Sequence, residues 1–201
     1  MNETTTERNI LNAVEVLRHV HRETDTLIAE LDDALGPKGW RSLNKKWLGL
    51  WKTGAQSGAP EGWLATVLHR FYANDAVPRK LILVAVHLKP SGGDPPVIAM
   101  AALSLDPNST AMDLHAEEWD KWRMAAESGP WFTAAAGSTV DLEPEAMRQV
   151  VSKAVRGCGR LVPLCSVNKA NLGELVVRPV LELVDRVPLK SATAGAGGDF
   201  A

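Results

Sequence analysis

Residues 113–122, with the sequence DLHAEEWDKW, hold the densest group of side chains in the chain that could do chemistry. They contain His115, four carboxylates, a lysine and two tryptophans. His115 and Glu117 form an H-x-E pair, which zinc deaminases use to combine a metal-binding imidazole with a proton-shuttling carboxylate. Those enzymes also need a P-C-x-x-C motif, whereas Cys158 and Cys165 are separated by six residues. The pair is therefore not expected to bind zinc.

The spacing of these residues predicts a helix over 113–127 with two different faces. A helical wheel places Asp113, Glu117 and Asp120 on one face and His115 on the opposite face, together with both tryptophans. His115 therefore cannot share a metal ion with the three acids. The acids could hold a hard cation if another segment added oxygen ligands, but a charged run on an amphipathic helix is usually a solvated face. We predict no metal site and no cofactor here.

Standard catalytic motifs are missing from the sequence. It contains no nucleophile elbow, Walker A loop, dinucleotide-binding glycine motif or H-E-x-x-H motif. We therefore assign no catalytic residue, and whether the protein is an enzyme stays open, with the interpretation leaning toward no.

The expected order of elements over residues 60–165, helix, three strands, helix and strand, resembles that of restriction-endonuclease-like domains. That family places an acidic residue near the end of the second strand, and Asp106 fits this position. The Asp/Glu-x-Lys pair that should follow is absent, because the lysine of EEWDK has the wrong spacing and WFTAAA carries no charge. The resemblance implies at most a catalytically silent relative. A metal-dependent hydrolase with its site near Asp106 remains an alternative.

The segment GWRSLNKKWLGLWK, residues 39–52, combines basic and aromatic residues and predicts a basic amphipathic helix. Proteins that bind single-stranded nucleic acid use this mixture for backbone attraction and base stacking. The residues that would bind nucleic acid or another partner are Arg41, Lys45, Lys46, Lys52 and Trp47. The tryptophans share their predicted face with leucines, however, and residues 1–35 are acidic enough to neutralise the segment, so burial is the favoured interpretation.

A long helix over residues 6–35 is the element most strongly marked in the sequence. A capping box, Thr4-x-x-Glu7, opens it and Gly36-Pro37 ends it. Its apolar seam has alternating spacings of four and three residues. The seam positions are Ile10, Val14, Leu17, His21, Thr24, Ile28, Leu31 and Leu35. Packing on the chain's own core is the favoured interpretation, and a helix from another protein or from a second copy is the alternative.

The remaining segments predict a helix followed by a sheet. A second helix is expected from Pro60, with Val67, Leu68 and Phe71 facing inward. Two apolar runs, 80–89 and 97–106, predict adjacent strands of a sheet covered on both faces. Further strands are expected over 131–136 and 160–167, and helices over 144–156, ending at Gly157, and 169–187, kinked at Pro179.

These elements predict an α+β fold, a helical N-terminal half followed by a small mixed sheet of three to four strands flanked by helices. We expect a single domain over residues 6–187, with a helical part at 6–73 and a sheet-containing part at 80–187. The segment 188–201 has too little apolar content to fold and is expected to be a disordered tail.

Composition limits the function more than it identifies it. The 201 residues are 45% hydrophobic and 23% charged, with a net charge of −2, which argues against global disorder and against a general affinity for polyanions. The N-terminal MNETTTE does not resemble a signal peptide, and no apolar run approaches the length of a membrane helix. We expect a cytoplasmic bacterial protein without membrane contact, the bacterial origin resting on Ala-, Val- and Gly-rich composition.

The leading functional hypothesis is a non-enzymatic interaction or accessory protein. It would bind a protein partner, or form a homodimer, through its N-terminal helices. Nucleic-acid binding through residues 39–52 is the alternative, followed by the metal-dependent hydrolase.

Overall fold

The computed structural model describes residues 5–43, 49–52, 65–88, 95–116, 118, 129–133 and 135–189. Over these residues the chain forms one long helix, an antiparallel sheet and several short helices. The helices are α1 (Thr5–Leu35), α2 (Pro144–Val150) and α3 (Arg178–Arg186), and the strands are β1 (Trp40–Ser42), β2 (Gly49–Lys52), β3 (Ala65–Asn74), β4 (Lys80–His87), β5 (Val97–Leu105), β6 (Thr139–Leu142) and β7 (Ala154–Pro163). Residues 111–116 add a short helical segment.

The sheet has six positions, in the order β1, β3, β4, β5, β7, β6. The short strands β1 and β2 share the edge position, because β1 pairs with the C-terminal end of β3 and β2 pairs with its N-terminal half. All of these strand pairs are antiparallel. The α+β class is confirmed, but the expected mixed sheet of three to four strands is wrong.

Helical segments cover the sheet on both faces, as the two apolar runs predicted. Every residue of β5 is buried, and so is β4 beyond its first residue. One face packs against residues 111–114, α2 and the side chain of Leu142. The other packs against the end of α1 and against the C-terminal helix. The two central strands therefore form the middle layer between two apolar cores.

The predicted helical N-terminal half is wrong beyond α1. The described parts of 39–52 are strands β1 and β2, and the helix expected after Pro60 is strand β3 where it is described. Phe71 and Tyr72 are adjacent in β3 and are 1% and 0% exposed. Neighbouring side chains on a strand point to opposite faces, so a strand between two cores buries both. The apolar spacing that predicted a helix therefore belongs to strand β3, which is buried on both faces.

The region between α2 and β7 also differs from its prediction. Helix α2 starts at Pro144 as expected and buries Met147, but it ends at Val150, and Gly157 lies within β7. A Cβ atom at Gly157 would overlap Met147 Sδ and Leu103 Cδ2. The glycine is needed for the close approach of α2 to the sheet, and it does not end a helix. Pro163, which has no N–H group to donate to a neighbouring strand, ends β7.

Residues 130–142 contain two further departures from the prediction. The expected strand over 131–136 is a 3-10 helix at Pro130–Thr133, followed by an isolated bridge at Ala136. Strand β6 was not expected from the sequence. It occupies the sheet edge beside β7.

The C-terminal helix confirms its prediction closely. A π-helical turn at Gly173–Val177 leads into α3, and Pro179 lies in the first turn of α3. Proline has no N–H group to donate, so the change of helix type at this point has an identifiable cause. The Lys80 ammonium group donates a hydrogen bond of 2.6 Å to the Val184 carbonyl. This contact places a cation at the negative end of the helix. The predicted disordered tail lies outside the described residues from position 190 onward.

Candidate protein interaction surface

Helix α1 has one half packed on the sheet and one half exposed. In its C-terminal half, Ile28, Leu31 and Leu35 are fully buried and Thr24 is 3% exposed. The predicted packing of the seam on the chain's own core is confirmed for these positions. In the N-terminal half the exposed fractions are 56% for Leu11, 39% for Val14 and 61% for Val16.

The length of the helix explains this division. A helix of 31 residues spans about 46 Å at 1.5 Å per residue. The longest strands have 10 residues and span about 33 Å. The sheet is therefore too short to cover the whole helix in any orientation. We call residues 5–22 of α1 the arm, and the exposed Leu11, Val14 and Val16 lie on it.

A polar network near the C-terminal end of α1 fixes the helix to the sheet. The Tyr72 hydroxyl donates a hydrogen bond of 2.8 Å to Asp32, and the Arg70 guanidinium lies 3.0 Å from the other carboxylate oxygen. Arg70 also donates to the Ser42 hydroxyl at 3.0 Å. Burial raises the pKa of Tyr72 far above its ordinary value, with a further rise from the neighbouring Asp32 carboxylate. The phenol therefore stays protonated and acts as the donor.

A groove of about 310 Å³ lies where the arm meets the body of the protein, between α1 and residues 164–172. Its apolar lining includes Val20, Leu27, Leu164, Val167 and Leu172. An ion pair between Lys169 and Glu30 spans its rim. The groove thus extends the apolar surface of the arm onto the body.

Two asparagines give the far wall of the groove its shape. Asn168 accepts hydrogen bonds from the backbone N–H groups of Ala170 and Asn171. Asn171 accepts one from the Asn168 N–H at 2.8 Å and donates one to the Ser166 carbonyl at 2.9 Å. These reciprocal bonds satisfy backbone groups before the C-terminal helix begins. The wall is therefore a well-bonded turn.

The basic residues predicted to form a binding site are not arranged as expected. Arg41 lies in β1, where its Nη2 atom is 2.6 Å from both carboxylate oxygens of Asp75. Lys45, Lys46 and Trp47 lie outside the described residues. Lys52 is in β2, opposite Ala65, whereas Arg41 is opposite Ala73. Eight residues along β3 correspond to about 26 Å, so Arg41 and Lys52 do not share one helical face.

Two acidic side chains of the predicted site, Asp106 and Asp113, take part in local hydrogen bonds, whereas Glu117 and Asp120 lie outside the described residues. Asp106 accepts bonds from the Asn108 N–H at 2.9 Å and the Ser109 hydroxyl at 3.1 Å. Asp113 accepts a bond from the Thr110 hydroxyl at 2.7 Å and donates its own N–H back to Thr110. This is a capping box at the start of the helical segment. Within the part of the chain that the structure describes, no cluster of three or more His, Cys, Asp or Glu residues could hold a metal ion.

Glu118 is a structural residue that the sequence analysis missed. It is 9% exposed and accepts a 3.1 Å hydrogen bond from the Ser152 N–H, in the turn after α2. Ala111 and Leu114 are buried as well. The spacing 111, 114, 118 is that of one helical face, so the signal was present in the sequence. The sequence analysis placed Asp113, Glu117 and Asp120 on a solvated face and assigned Glu118 to no face.

His115 and His87 lie on one face of the sheet among aromatic rings. His115 is 6.3 Å from the Phe71 ring and His87 is 5.1 Å from the Phe132 ring, measured between centroids. Burial lowers the pKa of both imidazoles below the ordinary value of 6.5. Both are therefore neutral in the folded protein at neutral pH.

Acidification is expected to destabilise the protein through these two histidines. Their folded-state pKa values lie below 6.5, so the unfolded chain binds more protons as the pH falls through 6.5. The free energy of unfolding should then fall by at most about 1.4 kcal/mol per pH unit for each histidine. Urea unfolding at pH 7.5, 6.5 and 5.5 measures this. His87→Gln should reduce the slope, and His19→Gln, at a side chain 69% exposed, should not. Equal slopes in both variants would contradict the assignment.

The fold and this surface define an α+β protein with a six-position antiparallel sheet between helical layers and one projecting helix. No helix in the described ranges is both long enough and apolar enough to span a membrane. Comparison of the chain with protein-family models, curated proteins and solved structures finds no match.

Proposed function

We propose that the protein is a non-enzymatic interaction protein whose protein partner binds the arm of α1. The position of the exposed apolar side chains supports this proposal. Among the described residues, Leu11, Val14 and Val16 are three of the four large apolar side chains that are strongly exposed, and all three are on the arm. Exposed apolar surface of this kind, bordered by polar residues, is typical of protein interaction sites.

The energetics of a helix also support a partner on the arm. Most of the stability of a helix in a protein comes from packing of its apolar face, and a short isolated helix is marginal in water. A partner that buries one exposed leucine or valine gains about 1.5–3 kcal/mol from that side chain. The apolar groove beside the arm adds a concave surface next to it.

The geometry of the acidic residues favours this function over a hydrolase. Asp106 and Asp113 accept hydrogen bonds from their own turns, which accounts for both carboxylates without a metal ion. Arg41 is paired with Asp75, so its charge is already balanced within the chain. The proposal includes a cytoplasmic location and a bacterial origin, and the support for the origin is the Ala-, Val- and Gly-rich composition.

A pair of matched substitutions tests the proposal. Val14→Glu places a charge on the apolar side of the arm. Asn12→Glu places the same charge about 200° around the helix, on the side opposite Val14. We expect proteins that co-purify with the wild-type chain from cells of its source to be lost with Val14→Glu and kept with Asn12→Glu. Circular dichroism should show that both variants fold. The same set of bound proteins with both variants would refute the arm as the interaction site.

A further inference from the structure

We infer that the arm is covered by the arm of a second copy of this chain, so that two α1 helices pair antiparallel through Val14 and Leu17. This inference rests on the proposed function and names the partner of the same site. Three features of the helix support it: a seam of regular spacing, a steric restriction on orientation and a self-complementary charge pattern.

The seam that packs on the sheet keeps its spacing into the arm, with the polar residue His21 between Thr24 and Leu17. Thr24, Ile28 and Leu31 are buried against the chain's own body. The same alternation of four and three residues leads back to Leu17 and Val14. That repeat is the spacing of helices that pack side by side, because it keeps one stripe facing the same neighbour. The arm thus presents a surface made for a helix, at the point where the sheet ends.

Steric restriction selects the antiparallel orientation. From Thr24 onward the seam of each helix faces its own sheet. A parallel partner would continue along the seam into the space that the sheet occupies. An antiparallel partner that overlaps residues 7–23 ends before it reaches the sheet. That overlap is about 26 Å long. Val14 then packs against Leu17 of the second copy, in the layers of an antiparallel pair.

The charges beside the seam complement each other only in this orientation. One flank of the arm carries Glu15 and, toward its C-terminus, Arg18 and Arg22. Antiparallel pairing brings Glu15 close to Arg18 of the second copy. In a parallel pair this flank of one helix would face the opposite flank of the other, so Glu15 and Arg18 would not meet. The same patch serves both copies, so the contact closes into a dimer with twofold symmetry.

Sedimentation equilibrium of the full chain over roughly a hundredfold concentration range tests the dimer. We expect the wild-type chain to dimerise and Val14→Glu to weaken the dimer by about 100-fold or more, because a charge would be buried at the centre of the seam. Asn12→Glu introduces the same charge at an exposed polar residue about 200° around the helix from Val14, and should dimerise like the wild type. A strict monomer, or a dimer equally stable in Val14→Glu, would overturn the inference.

Charge reversal and cross-linking test the orientation. Glu15→Arg alone and Arg18→Glu alone should each weaken the dimer, and the double variant should regain it. In a Cys165→Ser background, a mixture of Val14→Cys and Leu17→Cys chains should form mainly the mixed disulfide on oxidation. Disulfides between two Val14→Cys chains and between two Leu17→Cys chains would instead indicate parallel pairing and refute the proposed geometry.

The two proposals can fail separately. A wild-type chain that is monomeric, but loses a co-purifying protein in Val14→Glu, would overturn the second copy as the partner and leave the arm as the interaction site. Val14→Glu without effect on either self-association or co-purification would overturn both.

Discussion

Replacing Leu31 with alanine is expected to lower the free energy of unfolding by about 3 kcal/mol, whereas the same replacement at Leu11 should lower it by less than about 0.5 kcal/mol. Both leucines belong to helix α1. Leu31 is 0% exposed and packs in the core on one face of the sheet, whereas Leu11 is 56% exposed. The substitution removes the same atoms at both sites, but it leaves a cavity only at Leu31.

Urea unfolding followed by circular dichroism measures both values. The protein should be diluted until light scattering shows a monomer, because self-association would add a concentration-dependent contribution to the stability. At higher concentration, Leu11→Ala should lose more stability than it does in the monomer if the arm packs on a partner. Equal losses for Leu31→Ala and Leu11→Ala in the monomer would contradict the division of α1 into a packed half and an exposed arm.

This division could not be predicted from the sequence, although the helix itself could. The caps and the regular seam determined where α1 begins and ends to within a residue. The seam has the same spacing in both halves, however, so it contains no mark of where burial stops. That point depends on the extent of the sheet, which is made from strands far away in the sequence. A local pattern can define a face of a helix, but not what covers it.

The N-terminal strands show a second limit of sequence analysis. The apolar runs of β4 and β5 were recognised because they are dense and short, with Pro and Gly at their ends. Strand β3 contains the buried polar residues His69 and Arg70 between apolar ones. That mixture matches a helical period as well as a strand buried on both faces. The helix and the strand are distinguished only by the pairing of this segment with β4, in a register that places Arg70 opposite Val84.

A second large effect on the free energy of unfolding is expected from the ion pair of Arg70. Asp32→Ala is expected to lower the free energy of unfolding by about 3 kcal/mol, because it removes the carboxylate beside a buried guanidinium. The Arg70 side chain is 8% exposed and lies 3.0 Å from Asp32. The substitution also removes the acceptor of the Tyr72 hydroxyl, which is 2.8 Å away. Loss of that hydrogen bond alone, in Tyr72→Phe, should cost about 1 kcal/mol.

Asp33→Ala is the matched control for Asp32→Ala, since the adjacent aspartate is exposed and its replacement should change the stability by less than about 0.5 kcal/mol. Urea unfolding of the three variants separates the contributions. Asp32→Ala should also shift α1, because the network is the polar connection between this helix and strand β3. If Asp32→Ala costs no more than Asp33→Ala, the apolar contacts of Ile28, Leu31 and Leu35 alone hold the helix on the sheet, and the Asp32 carboxylate adds nothing to the attachment.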